Sequence, residues 1–130
     1  MFILDTNALI HALKGIGGVR GRMLALPPGD IAIPAVVAFE VEYGTLGLVN
    51  PERRRRNLSH LLGTLDILPF DSRAAARSAR LRYELERAGE KIGPLDTLIA
   101  GTALACGGTL VTHNTREFSR VPGLLIEDWY

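Results

Sequence analysis

The sequence predicts an α/β protein in which helices cover both faces of a parallel sheet. Five short apolar runs are typical of buried strands, and segments with helical spacing of apolar residues separate them. Proline and glycine residues mark most boundaries between the two kinds of segment. The chain has 130 residues, of which 47% are hydrophobic, so we expect one domain that spans residues 1–130.

The first strand is predicted at residues 2–4, an apolar run that ends at Asp5. Asp5 or Thr6 is a suitable N-cap for the helix that follows and reaches about Lys14. Three further elements are expected before the middle of the chain: a helix at 19–26, a turn at 27–30 and a strand at 31–33 closed by Pro34.

The middle of the chain is predicted to be mainly helical. One helix should cover residues 36–48, and the next should begin at Asn50, Pro51 and Glu52, which suit the cap and the first turn. A short strand is expected at residues 67–68. Asp71 is then the expected N-cap of a long helix that ends at Gly89.

The last part of the chain supplies one more predicted helix and two more strands. Pro94 begins an apolar helix that Gly107 and Gly108 terminate. Strands are expected at residues 109–112 and 124–126. In a parallel sheet of this kind, ligands bind beyond the carboxyl ends of the strands, which indicates where a site should lie.

Composition and charge restrict the class of protein only weakly. The net charge is +1, from 15 Lys plus Arg against 14 Asp plus Glu, and this balance neither requires nor excludes a polyanionic partner. No apolar run approaches the roughly 20 residues needed to cross a membrane. The single cysteine, Cys106, offers neither an internal disulfide nor a zinc cluster, so the expected location is the cytoplasm.

Four acidic residues stand where a site is expected. Asp5 directly follows the first strand, Glu117 follows the fourth, and Asp96 lies in the first turn of the helix that precedes the fourth strand. Glu40 lies in an otherwise apolar helical segment. Because buried charges need a partner or a metal, we expect these side chains to converge at the carboxyl edge of the sheet.

Carboxylates that converge repel one another, and a divalent cation removes that conflict. Oxygen ligands without a Cys or His cluster favour Mg²⁺ or Mn²⁺ over zinc. Such an ion activates water and neutralises phosphate oxygens, which is the chemistry of phosphodiester hydrolysis.

Each acid also has a purely structural explanation. Asp5 could only cap the first helix, and Asp96 could only complement the dipole of its own helix. Glu40 could pair with a buried arginine, and Glu117 could be a surface residue of a short turn. The residue pattern alone leaves these alternatives open.

The four acids lie within longer patterns: LDTN at 4–7, FEVEYG at 39–44, PLDTLIA at 94–100 and LVTHNTREF at 110–118. In order and spacing these segments resemble the four motifs of the PIN-domain family. The ending EDW at 127–129 is similar to that of the VapC-type toxins in this family. The resemblance covers essentially the whole chain, and it implies a three-layer α/β/α sandwich around a five-stranded parallel sheet.

The same resemblance implies an Mg²⁺- or Mn²⁺-dependent endoribonuclease that cuts single-stranded RNA. Asp5 and Asp96 would bind the metal directly. Glu40 and Glu117 would hold metal-bound waters, one of which attacks the phosphorus.

Three further residues have supporting roles by the same resemblance. Thr6 would position the metal cluster, and Thr112 and Asn114 would do so from the opposite side. Many relatives carry an aspartate where this chain has Asn114, so Glu117 would have to supply the fourth charge. The implied partners are an RNA substrate, a cognate antitoxin protein and a second copy of the chain in a homodimer; no membrane is implied.

Arginines are the candidates for RNA contact. Arg73, Arg77 and Arg80 share one face of the predicted 72–88 helix at i, i+4 and i+7 spacing, and phosphate contact or simple solvation would each explain them. The run at 53–56 points around the whole helix and forms no single patch.

Two other functions compete with the nuclease hypothesis. A non-catalytic RNA-binding or interaction module could keep the fold without the chemistry, although the four acids argue against it. A haloacid-dehalogenase-like phosphatase also begins with a strand and an aspartate. It normally needs a second acid two residues later, where this chain has Asn7.

Overall fold

The computed structural model describes residues 1–130, and its five strands form one sheet with the order β3-β2-β1-β4-β5. Every neighbouring pair is parallel, which confirms the predicted fold class. The strands are β1 Phe2–Leu4, β2 Ile31–Pro34, β3 Asp66–Leu68, β4 Thr109–Val111 and β5 Leu125–Glu127.

Seven α-helices connect or follow the strands. In chain order they are α1 Thr6–Lys14, α2 Val19–Leu24, α3 Ala35–Leu46, α4 Pro51–Leu62, α5 Ser72–Ala88, α6 Pro94–Cys106 and α7 Thr115–Phe118. The predicted turn before β2 contains a single 3₁₀ turn at Pro28–Asp30. None of the helices combines the length and the hydropathy that a membrane crossing needs.

Capping residues fix the ends of the longer helices as the sequence predicts. Asp5 accepts a hydrogen bond from Ala8 N at 2.8 Å, and Asp71 accepts one from Ala74 N at 2.9 Å, so each caps its helix. Gly89 ends α5 in the left-handed conformation, which a residue without Cβ adopts at little cost.

Several predicted boundaries are wrong by one or two residues. Helix α2 ends at Leu24 rather than 26, because the residue that precedes Pro27 is driven out of the helical conformation. Helix α3 ends before Gly47. Strand β5 starts one residue late, because Leu124 belongs to a turn in which its N–H donates to Val121 O at 3.4 Å.

Two local features were not foreseen. Asn50 precedes α4 as expected but makes no capping hydrogen bond with its side chain. Helix α7 was not predicted, because four residues are too few to show a helical period.

The sheet is buried on both faces. Ile31, Ala32 and Ile33 are consecutive in β2, and none is more than 1% exposed, although alternate residues of a strand point to opposite faces. Helices therefore cover both sides, as in other parallel sheets. Strand β1 lies at the centre between β2 and β4, so the residue that follows it is surrounded by structure.

Helices α5 and α6 approach each other very closely at Gly101. A Cβ atom placed on Gly101 would lie 2.8 Å from both Cα and Cβ of Ser78, closer than atoms of this kind can approach. The small residue therefore sets the separation of the two helices, and with it the position of the α6 N-terminus.

Candidate active site

Asp5 occupies the carboxyl end of the central strand and is only 4% exposed. Both of its oxygens are held: Ala8 N donates to Oδ1 at 2.8 Å, and the Thr112 hydroxyl donates to Oδ2 at 2.6 Å. The second contact joins the ends of β1 and β4. Thr112 therefore lies beside Asp5, and its supporting role at a metal stays a prediction.

Glu40 extends from α3 towards the same edge of the sheet. The Thr6 hydroxyl donates to Glu40 Oε1 at 2.7 Å, so the first residue of α1 orients this carboxylate. Glu40 is half-buried and forms no ion pair with an arginine. This removes the alternative in which Glu40 is only the partner of a buried cation.

Asp96 and Glu117 form a pair beside Gly93. A Cβ on Gly93 would lie 3.4 Å from Asp96 Oδ2 and 3.7 Å from Glu117 Oε1, which places both carboxyl groups against the same backbone atom. Gly93 N donates to Glu117 Oε1 at 2.9 Å, and Asn114 Nδ2 donates to Glu117 Oε2 at 2.7 Å. Helix α7, which the sequence did not reveal, is the element that presents Glu117 to Asp96.

The close approach of the carboxyl groups and their burial shift the pKa values of Asp96 and Asp5. Burial, a hydrogen bond with Glu117 and the negative charges of Glu117, Glu40 and Asp5 together raise the pKa of Asp96 to about 7. Burial also raises the pKa of Asp5, although hydrogen bonds from Thr112 and Ala8 oppose the shift.

Glu117 shifts in the opposite direction. Burial disfavours its ionised form, but hydrogen bonds from Gly93, Asn114 and Asp96 outweigh burial and hold its pKa below the usual value. Asp96 and Glu117 therefore share a proton, which resides on Asp96. Two neighbouring carboxyl groups in different protonation states are typical of catalytic sites.

The four predicted acids thus come together at one edge of the sheet. No three acidic, histidine or cysteine side chains already form a closed set of metal ligands. The donor set nevertheless fits a hard divalent ion, since it consists of oxygens whose mutual repulsion such an ion relieves.

Asn114 acts through Glu117 rather than towards Asp5. Its side chain is used in the hydrogen bond to Glu117, while its N–H donates to the Thr112 hydroxyl oxygen at 2.9 Å. A continuous chain of hydrogen bonds therefore runs from Asp5 through Thr112 and Asn114 to Glu117.

The predicted RNA-binding arginines lie elsewhere. Arg73 Nη2 donates to Ala105 O at 3.2 Å, in the last turn of α6, whereas Asp96 lies in the first turn of that helix. Arg77 is half-buried, and its Nη1 atom has no partner. The structure therefore does not bring Arg73 together with the carboxylates, and an RNA contact by these arginines stays a prediction.

Sequence reasoning missed other cations that are close to the site. Arg116 and Arg120 flank Glu117 on and after α7, and Lys91 lies in the loop before α6. The signal was available, because both arginines are within three residues of a predicted catalytic acid. Arg116 and Arg120 form neither a dense run of cations nor a stripe along one helix face, so the pattern of arginines alone did not single them out.

Comparison with known proteins gives consistent similarities. The sequence profile of the PIN domain matches residues 2–124. The chain is 38% identical over 128 residues to the tRNA(fMet)-specific endonuclease VapC of Shigella flexneri, an alignment that covers 98% of this chain and 97% of that protein.

Solved structures agree with the sequence matches. The fold is similar to that of a chain in DNA-bound VapBC from Salmonella typhimurium, with a TM-score of 0.93, 36% identity and coverage of 99% and 98% of the two chains. VapBC2 from Rickettsia felis, bound to a DNA fragment from its promoter, gives a TM-score of 0.92 at 34% identity, with coverage of 99% and 98%.

Proposed function

Because this chain belongs to the PIN-domain family, we propose that it is a metal-dependent endoribonuclease and the toxin of a toxin–antitoxin pair. The observation that carries the proposal is the convergence of Asp5, Glu40, Asp96 and Glu117 at the carboxyl edge of the sheet. The relatives, which are named as an endonuclease and a ribonuclease of the VapC type, support the same reaction.

Asp5 and Asp96 are the residues that would hold Mg²⁺ or Mn²⁺. When bound, the ion lowers the pKa of a water molecule and neutralises phosphate oxygens. Thr112 and Ala8 N fix the orientation of Asp5, and Thr6 fixes Glu40, so neither carboxylate needs to reorganise when the substrate arrives.

Protons must also move during hydrolysis. Water attacks the phosphorus and loses a proton to a carboxylate, while the bond from phosphorus to the leaving oxygen breaks and that oxygen takes up a proton from solvent. Glu40 and Glu117 are the proposed acceptors, because both are held ready by neighbouring donors. Protons and the cation compete for the Asp96 carboxylate, so activity should fall as the pH is lowered.

We propose single-stranded regions of RNA as the substrate, and an initiator tRNA as the first molecule to test. The relative from Shigella flexneri is named for that tRNA, and the two sequences align over almost their full lengths. The proposed reaction takes place in the cytoplasm, where this RNA is found.

The decisive test is cleavage of a transcribed initiator tRNA by the purified chain. We expect cutting with Mg²⁺ or Mn²⁺, none with EDTA, and none by Asp96→Asn protein with either ion. An elongator tRNA serves as the specificity control. Equal cutting in EDTA, or by the Asp96→Asn variant, would contradict the proposed mechanism.

A protein partner accounts for exposed apolar residues on α3. Phe39, Tyr43 and Leu46 are 59%, 71% and 65% exposed, and we call them the α3 surface. Leu46 also lines a groove of about 780 Å³ between α3 and α4. Such a surface is typical of protein contacts.

We propose that the cognate antitoxin covers the α3 surface. Glu40 lies on the same helix, so a segment bound there would reach the carboxylates and silence the enzyme. The VapBC neighbours, which are toxin–antitoxin complexes by family, support such a partner. A homodimer is the proposed state of the toxin alone, and light scattering of the purified chain would reveal its mass.

A further inference from the structure

A cavity with a cationic lining opens beside Glu117. It has a volume of about 370 Å³, and Ile92 is its one apolar lining residue. Asn114 and Glu117 line the cavity and also belong to the carboxylate site, so the two spaces are continuous. Three cations complete its wall, from the α5–α6 loop and from α7 and the residues after it: Lys91, Arg116 and Arg120.

The side chains of Lys91 and Arg116 have no partner within the chain, whereas Arg120 has one. Arg120 Nη1 donates to Lys91 O at 3.0 Å, which fastens the loop to the end of α7. The side chains of Lys91 and Arg116 are exposed and form neither a hydrogen bond nor any of the three ion pairs of the chain. They are therefore available to a ligand.

The carboxylate of Glu117 makes no ion pair with Lys91 or Arg116. Both oxygens of Glu117 already accept hydrogen bonds, one from Gly93 N and one from Asn114 Nδ2. If the cations served only to balance Glu117, its carboxylate would be expected to contact one of them directly. Instead, Arg116 and Lys91 face a solvent-filled space next to a cluster of negative charge.

We propose that Lys91 and Arg116 bind a backbone phosphate of the RNA strand next to the phosphate that is cut. Arg120 fixes the loop that carries Lys91 through its hydrogen bond to Lys91 O. This inference rests on the proposed ribonuclease function. An RNA strand must bring negative charge to a site that is itself negative, and two cations at the entrance offset that repulsion. No aromatic residue lines the cavity, so no base can stack there. Cations without such a partner bind phosphates and do not distinguish one base from another.

The test is the salt dependence of RNA binding. A labelled single-stranded RNA is titrated with the Asp96→Asn chain in EDTA, so that binding is measured without cleavage. Lys91→Gln and Arg116→Gln are added to this chain singly and together, and Lys14→Gln, at the exposed end of α1, is the matched control. Because both cations hold the same phosphate, the double variant should reduce the slope of log K against log salt by about 0.7, and each single variant should reduce it by less.

Steady-state cleavage gives the second measurement. In the otherwise wild-type chain, the double variant should raise KM for RNA several-fold with kcat retained, while Arg116→Lys should preserve most of the slope. An unchanged slope in the double variant, or an equal change in Lys14→Gln, would overturn the inference. Cleavage by the wild-type chain with Mg²⁺ tests the proposed nuclease function separately. A failure of that function can therefore be distinguished from a failure of the proposed phosphate site.

Discussion

Asp5 performs two tasks at once, since it caps α1 and contributes the most buried carboxylate of the site. The two tasks need different properties of the side chain. Capping requires only an acceptor for Ala8 N, whereas binding a cation requires negative charge. A substitution that keeps the acceptor and removes the charge therefore separates them.

We expect Asp5→Asn to reduce RNA cleavage more than about 100-fold while the melting temperature stays equal or rises. Asparagine caps as well as aspartate does, and it removes a charge that burial disfavours. Cleavage assays and thermal unfolding measure the two effects. Asp71→Asn is the control, because Asp71 caps α5 in the same way outside the site; loss of activity there would point to helix capping instead.

The stability of the metal-free protein should depend on pH through Asp96. Its pKa rises from 3.8 to about 7 on folding, so the folded chain binds this proton more tightly than the unfolded chain. That stabilisation is fully present below about pH 4 and is lost as the pH rises towards 7. In EDTA, wild-type protein should lose more stability over this range than Asp96→Asn protein; parallel curves would contradict the assignment.

Added metal should reverse this loss. Above pH 7 Asp96 is ionised and free to bind a cation, so Mn²⁺ should raise the melting temperature more at about pH 8 than at about pH 5. The Asp96→Asn variant should show little shift at either pH. An equal shift in both proteins would mean that the ion binds elsewhere.

Among the elements, the α5–α6 pair controls the position of the site most directly. Helix α6 carries Asp96 in its first turn, and its contact with α5 at Gly101 has no room for a side chain. Any increase in this separation would move Asp96 relative to Asp5.

We predict that Gly101→Ala lowers the free energy of unfolding by about 1–3 kcal/mol, because the new methyl group would overlap the backbone of Ser78. Gly44→Ala is the matched control: Gly44 is also helical, but a Cβ there meets nothing within 4 Å. Its substitution should raise the free energy of unfolding by about 0.5–1 kcal/mol. Denaturant titration of both variants checks the contrast.

Element types and most boundaries could be predicted because they depend on local chemistry. Asp5, Asp71, Pro94 and Gly89 act on their own backbone neighbours, and these signals were sufficient. The order of the strands could not be predicted, because it depends on packing between segments that are far apart in sequence. Helix α7 could not be predicted either, because its four residues are too few to show a helical period.

The site was predictable as a set of residues but not as a set of contacts. Four acids at the ends of predicted strands and helices were sufficient to expect convergence. The shared proton of Asp96 and Glu117 was not foreseeable, because it depends on Gly93, a loop residue with no chemical signal. The cationic cavity likewise depends on a loop and a helix that meet only in the folded chain.

At the scale of the whole molecule, α3 contributes three of the exposed large apolar side chains, and it also carries Glu40. If the antitoxin binds the α3 surface, Tyr43→Ala should weaken the complex by roughly 30-fold, the effect of a typical aromatic anchor. Calorimetry with the purified antitoxin measures this. Tyr83→Ala is the matched control, since Tyr83 is 61% exposed on α5, away from that surface; equal weakening by both variants would rule out the α3 surface.

Strand order also has a consequence for biosynthesis. The central strand β1 is the first to be made, but one of its two neighbours, β4, begins at Thr109, and the contact from Thr112 to Asp5 spans 107 residues. A ribosome-bound chain that still lacks this segment has no complete sheet and no oriented Asp5. The carboxylate site can therefore form only after the segment that carries Thr112 has been translated and has packed beside Asp5.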